Sequence, residues 1–170
     1  MSEKPLRLLL VDDHPIVRTG LRMLFQSEPG MQVIGEADGG AAAIAAVQKL
    51  HPDVVIMDVA MPGMIGIEAT RQIKANSPET AVLSLTMHED EQYFFAMLNA
   101  GASGYIPKRA APDDLVAAIR VVAEGNFFLY STLARFLMKD IAEKKNVPAG
   151  AKRASPNTPL TTTDPAHAQT

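Results

Sequence analysis

Cysteine is absent from this chain. That excludes disulfides and thiolate metal sites, and nothing points to an oxidising compartment. Long hydrophobic runs are also missing: no stretch approaches the ~18 apolar residues of a membrane span, and the opening MSEKPLR has no apolar core of signal-peptide length. Charge of one sign is not in large excess, since 16 Lys and Arg against 19 Asp and Glu leave a formal net charge of -3 and a pI near 5.8. Such a balance exerts no global attraction on nucleic acid or anionic lipid, so binding to either would need a local patch. The expectation is a soluble, cytoplasmic protein without membrane association. The rest of the composition is ordinary: 170 residues, 47% hydrophobic and 21% charged, suit one domain with an appendage.

Short apolar runs recur at residues 6–11, 32–35, 53–57, 81–86 and 104–107, and helix-like segments separate them. HPIVRTGLRMLFQ places Val17, Leu21 and Leu24 on one helical face, with Pro15 in the first turn, where its missing N–H is harmless. GGAAAIAAVQKL carries Ile44, Val47 and Leu50, with Asp38 as its expected N-cap. GIEATRQIKAN repeats the pattern weakly, and DEQYFFAMLNAG stops at Gly101. APDDLVAAIRVVAEG is the clearest helix, with two acids in its first turn, a Leu115, Ile119, Val122 stripe and Gly125 at its end. Strict β-α alternation predicts a doubly wound, five-stranded parallel sheet of order 2-1-3-4-5, flavodoxin-like, with helices on both faces. Beyond it, Leu133, Phe136, Leu137 and Ile141 recur at helical spacing, which predicts an extra helix leading away from the domain. The domain is expected over residues 1–127, the extra helix or linker over 128–145, and a disordered tail, rich in proline and small polar residues, over 146–170.

The first strand runs into two adjacent carboxylates, Asp12 and Asp13. In open α/β sheets the carboxyl ends of strands are where ligands bind. A dinucleotide would need a glycine-rich turn here, and the turn is Asp-Asp-His-Pro. A flavin phosphate fails as well, because bare carboxylates repel a phosphate by roughly 4 kcal/mol at 4 Å and an effective dielectric near 20. Acids at this point call for a cation. The third strand ends in Asp58, and order 2-1-3-4-5 makes it the neighbour of the first, so three carboxylates converge. Oxygen ligands with open positions suit Mg²⁺, which keeps waters and shares a site with phosphate. The next two strands end near Thr86 and Lys108. Hydroxyl, ammonium and metal together fit a phosphoryl group. Without a cysteine or a suitably placed serine the nucleophile is a carboxylate, and Asp58 is chosen because Asp12 and Asp13 are better disposed to hold the metal.

The stretches LLLVDDHPIVRTGL, PDVVIMDVAMPGM, LSLTMHEDE and AGASGYIPK resemble the receiver domain of two-component response regulators, in particular the NarL/FixJ type that carries a LuxR-type helix-turn-helix. The resemblance covers about residues 5 to 127. It implies a phosphoacceptor at Asp58, metal ligands at Asp12, Asp13, Asp58 and the backbone carbonyl of Ala60, a hydroxyl switch at Thr86, an aromatic switch at Tyr105 and a phosphoryl-binding lysine at Lys108. It further implies a sensor histidine kinase as phosphoryl donor. Tyr105 is expected to pack inward on phosphorylation, and homodimerisation to use the face formed by the fourth helix, fifth strand and fifth helix. The sequence departs from the pattern in three places: Ile65 stands where similar sequences have an acid, Pro107 precedes the lysine and Arg109 follows it, and Leu160-Thr161 leads into TTDPAHAQT rather than a charged recognition helix. DNA binding by this chain is therefore not expected.

Two other function classes compete. An aspartate-nucleophile phosphohydrolase would place a second Asp two residues after the nucleophile, where this chain has Ala60. A phosphorylation-independent pseudo-receiver usually lacks the acceptor or an acid, and Asp12, Asp13, Asp58 and Lys108 are all present. A phosphoacceptor signalling protein, not an enzyme acting on outside substrates, is the expectation. His14 and His88 lack a third matched ligand, and no role is assigned to either.

Overall fold

The computed structural model describes residues 4–58, 66–86 and 91–145. The tail expected from residue 146 onward lies outside them. Six parallel strands form one sheet in the order β2-β1-β3-β4-β5-β6. They are β1 (Leu6–Val11), β2 (Met31–Ala37), β3 (Val54–Asp58), β4 (Ala81–Thr86), β5 (Gly104–Pro107) and β6 (Phe128–Leu129). Five helices connect them: α1 (Pro15–Gln26), α2 (Gly40–Leu50), α3 (Gly66–Asn76), α4 (Glu91–Ala100) and α5 (Pro112–Ala123). A sixth, α6 (Ala134–Lys145), follows β6.

The central strands are apolar on both faces, and the pleat divides their side chains. Leu8 and Leu10 of β1 join Val54, Ile56, Leu83 and Ile106 beneath α1 and α5. Leu9 and Val11 join Val55, Met57, Val82 and Tyr105 beneath α2, α3 and α4. The expected stripe of α5 is realised, with Leu115, Ile119 and Val122 buried. Helices α4 and α5 are followed by the expected glycines, Gly101 at φ 108° and Gly125 at φ 89°, a backbone region that other residues rarely enter.

Three expectations need correction. The sheet has a sixth strand, because Phe128 and Leu129 pair with Gly104 and Tyr105, so β5 is not the edge. Two residues are too short a run to show periodicity. Pro107 lies beyond the stretch paired with β6, so its lack of an N–H costs no ladder bond on that side. Helix α2 is capped by Gly39 without a side-chain hydrogen bond, not by Asp38. Most consequentially, α6 does not lead away. Leu133, Phe136 and Leu137 are buried in the core on the α4 side, the Phe136 ring lies 5.5 Å from Phe94, and Lys139 approaches Glu91 at 3.6 Å. Part of the face expected for homodimerisation is thus covered by the chain itself. Tyr105 is inward in this structure: it is 1% exposed and meets Phe94 edge-on at 5.1 Å between ring centroids.

Candidate functional site

The carboxyl ends of β1, β3, β4 and β5 lie side by side, with Val11 opposite Met57, Asp58 opposite Leu85 and Thr86 opposite Pro107. This register brings together residues from 12 to 108 in the sequence. Asp12 is held by its backbone N–H, which donates to Ala37 O at 3.1 Å. Its Oδ1 accepts the His14 N–H at 2.9 Å, closing a turn that leads into α1. Asp58 ends β3, and Thr86 ends β4, where its carbonyl accepts the Lys108 N–H at 2.7 Å. That bond places the lysine immediately beside the β4 terminus.

Lys108 then points across the strand ends to the acids. Its Nζ lies 2.8 Å from Asp12 Oδ2 and 3.4 Å from Asp58 Oδ2. Asp12, Asp58 and Thr86 are all buried, whereas the Asp13 side chain is 24% exposed. Burial raises the pKa of Asp12, but hydrogen bonds from Lys108 and from His14 outweigh it and hold the carboxyl below its ordinary 3.8. Asp12 is therefore an anion at neutral pH despite its burial. Lys108 contacts two of the three clustered carboxylates, and an acid-rich cluster of this kind favours a further positive group.

The donor set fits a hard divalent cation. Asp12, Asp13, Asp58 and His14 each offer one ligand atom, and these atoms all lie within 4.8 Å of one another. Of the residues expected at the site, Asp12, Asp13, Asp58, Thr86 and Lys108 are assembled at the strand ends. Tyr105 stands one turn of pleat lower on β5, opposite Ser84, under α4. Ala60, Ile65 and His88 lie outside the described residues. His14, which has no role assigned from the sequence, also stands in the cluster: its Nδ1 is 3.0 Å from Asp12 Oδ1 and 3.1 Å from Asp13 Oδ1. The signal was its position directly after the acid pair, which a search for a second histidine passes over.

Comparison with known proteins is consistent with this geometry. The model of the response regulator receiver domain family matches residues 8–120. Among curated proteins, the transcriptional regulatory protein DegU of Brevibacillus brevis is 35% identical over 140 residues, which cover 82% of this chain and 59% of that protein. The response regulator GacA of Pseudomonas viridiflava is 40% identical over 132 residues, covering 78% of this chain and 62% of GacA. The chain thus spans about 60% of the length of these relatives. A solved two-component response regulator of the LuxR family from Aurantimonas sp. SI85-9A1 superimposes with a TM-score of 0.77 at 37% identity, over 82% of this chain and 99% of that one. No described helix is long and apolar enough to cross a membrane.

Proposed function

The chain belongs to the response regulator receiver domain family, whose members are signalling proteins rather than conventional enzymes, and from that membership we propose that Asp58 is a phosphoacceptor that switches this domain. The observation that carries the reading is Lys108, whose single ammonium reaches both Asp12 and Asp58. A donor phosphohistidine, presented by a sensor histidine kinase in the cytoplasm, is the proposed source. One Asp58 carboxylate oxygen attacks phosphorus as the P–N bond breaks, and the leaving imidazole takes up a proton.

Asp12, Asp13 and Asp58, with the Ala60 carbonyl, would hold Mg²⁺, which when bound supplies charge that neutralises phosphoryl oxygens. The protein's own groups do the rest. Lys108 offers its ammonium to one phosphoryl oxygen, and the hydroxyl of Thr86 donates to another. Tyr105, packed on Phe94, links the strand end to α4. Moving a two-state switch from 1:99 to 99:1 needs roughly 5.5 kcal/mol of differential interaction. A charged phosphoryl held between a metal and the half-buried Lys108 would supply much of it. The output is control of a partner or of transcription, and homodimerisation is proposed through the α4, β5 and α5 face, to which α6 now contributes.

Intact mass after incubation with acetyl phosphate tests the reading, with and without Mg²⁺, on the native protein and on Asp58→Asn. The expected result is a metal-dependent gain of one phosphoryl group that the variant lacks. No gain, together with no binding of beryllofluoride, would sink it and favour a pseudo-receiver.

A further inference from the structure

Nothing in the proposed phosphotransfer uses His14, yet its ring stands inside the acid cluster. Nδ1 contacts one oxygen of Asp12 and one of Asp13, and it belongs to the set of four ligand atoms that lie within 4.8 Å of one another. Core packing does not put it there, because the side chain is 63% exposed. Its place is fixed through the backbone: the His14 N–H donates to the same Asp12 Oδ1 that its ring approaches, and Pro15 opens α1 directly after it. The ring is therefore oriented by the most buried acid of the site.

Carboxylates alone favour hard ions such as Mg²⁺ and Mn²⁺, whereas imidazole nitrogen suits Zn²⁺, Ni²⁺ and Cu²⁺. Three carboxylates and one imidazole form a mixed oxygen and nitrogen donor set. We propose that His14 is a specificity-determining ligand that makes this pocket a Zn²⁺ site in competition with Mg²⁺. Zn²⁺ held by the same carboxylates would exclude Mg²⁺ from them, so the domain would sense which divalent ion is available. This inference rests on the cation-site reading above and adds to it the identity of a competing ion.

Displacement of Mn²⁺ tests it without any phosphorylation. Free Mn²⁺ is counted by its six-line paramagnetic resonance signal, and Mg²⁺ or Zn²⁺ is titrated against the bound ion in the native protein, His14→Gln and His14→Ala. Because the side chain is mostly exposed, both variants keep the core, and circular dichroism checks this. Zn²⁺ bound at His51, on the opposite end of the sheet, would not release Mn²⁺. The expected result is a Zn²⁺-to-Mg²⁺ displacement ratio at least tenfold lower in both variants than in the native protein. An unchanged ratio, or native protein from which Zn²⁺ displaces Mn²⁺ no better than Mg²⁺ does, overturns the role of His14. Asp12→Asn separates the two levels: if it binds Mn²⁺ as well as the native protein, the cation-site reading fails and the inference falls with it.

Discussion

Replacing Asp58 by asparagine should stabilise the metal-free domain, although it removes one side of an ion pair. The Lys108 ammonium at 3.4 Å attracts the Asp58 carboxylate by about 5 kcal/mol at an effective dielectric near 20. Against this, Asp12 and Asp13 each place an oxygen within 4.8 Å of one from Asp58, and each repels it by about 3.5 kcal/mol at the same dielectric. Solvent screens part of the Asp13 contribution, since that side chain is 24% exposed. These two repulsions exceed the Lys108 attraction, and Lys108 keeps its shorter 2.8 Å contact with Asp12. The net gain for Asp58→Asn is about 1–2 kcal/mol, with relief of carboxylate desolvation adding to it. Urea unfolding at pH 7 with a chelator present measures the difference. Saturating Mg²⁺ should then reverse the order, because the native protein offers the ion one more carboxylate and gains more from its binding. A lower midpoint for the variant in chelator would refute the reasoning, since the lysine contact would then outweigh both repulsions.

Lys108→Met removes an ammonium that contacts two buried carboxylates and should cost about 3–5 kcal/mol in the same urea assay. Asp12 contributes in the opposite pH sense to a buried neutral acid: its folded pKa lies below the ordinary 3.8, so its stabilisation is present above that value and is lost as pH falls through the depressed one. Asp12→Asn should therefore flatten the acid limb of stability against pH. Phe136→Ala, at a buried ring against Phe94, should cost about 3 kcal/mol, and a loss below 1 kcal/mol would mean that α6 is not docked in solution. Fluorotyrosine resonances of the three tyrosines, with Tyr105 identified by Tyr105→Phe, should show Tyr105 in a buried environment both before and after addition of Mg²⁺ and beryllofluoride. A move from an exposed to a buried shift would restore the inward flip expected from the family.

Much of the fold was legible because hydrophobic period and strand-end chemistry act locally. Strands at 6–11, 81–86 and 104–107 have the bounds expected of them, since each run stops at or just before a polar residue, Asp12, Thr86 and Lys108. The cluster of Asp12, Asp58, Thr86 and Lys108 followed from strand order alone, because parallel register aligns carboxyl ends. What failed depended on tertiary partners. A stripe of Leu133, Phe136 and Leu137 says that α6 has an apolar face, but not that Phe94 and Leu98 leave a surface for it. Asp38 looked like a cap by type, yet the backbone turns at Gly39, whose extended conformation provides the entry into α2. The place of His14 beside the acids was not legible, because it depends on the turn made by Asp12, which folds the residue after Asp13 back onto them.

The inward Tyr105 and the docked α6 change what phosphorylation has to accomplish on the proposed mechanism. Three rings form a line from β5 through α4 to α6, with Phe94 5.1 Å from Tyr105 and 5.5 Å from Phe136. Close-packed interiors shift between discrete arrangements and do not deform continuously, so a displacement of α4 is transmitted to α6. Glu91, in the first turn of α4, also faces Lys139 of α6, so the helix end that a phosphoryl would move is the one tied to the segment leading to the rest of the chain. On the proposed mechanism the switch would therefore read out in whether α6 stays docked, and the aromatic line is the contact through which that outcome would depend on Asp58.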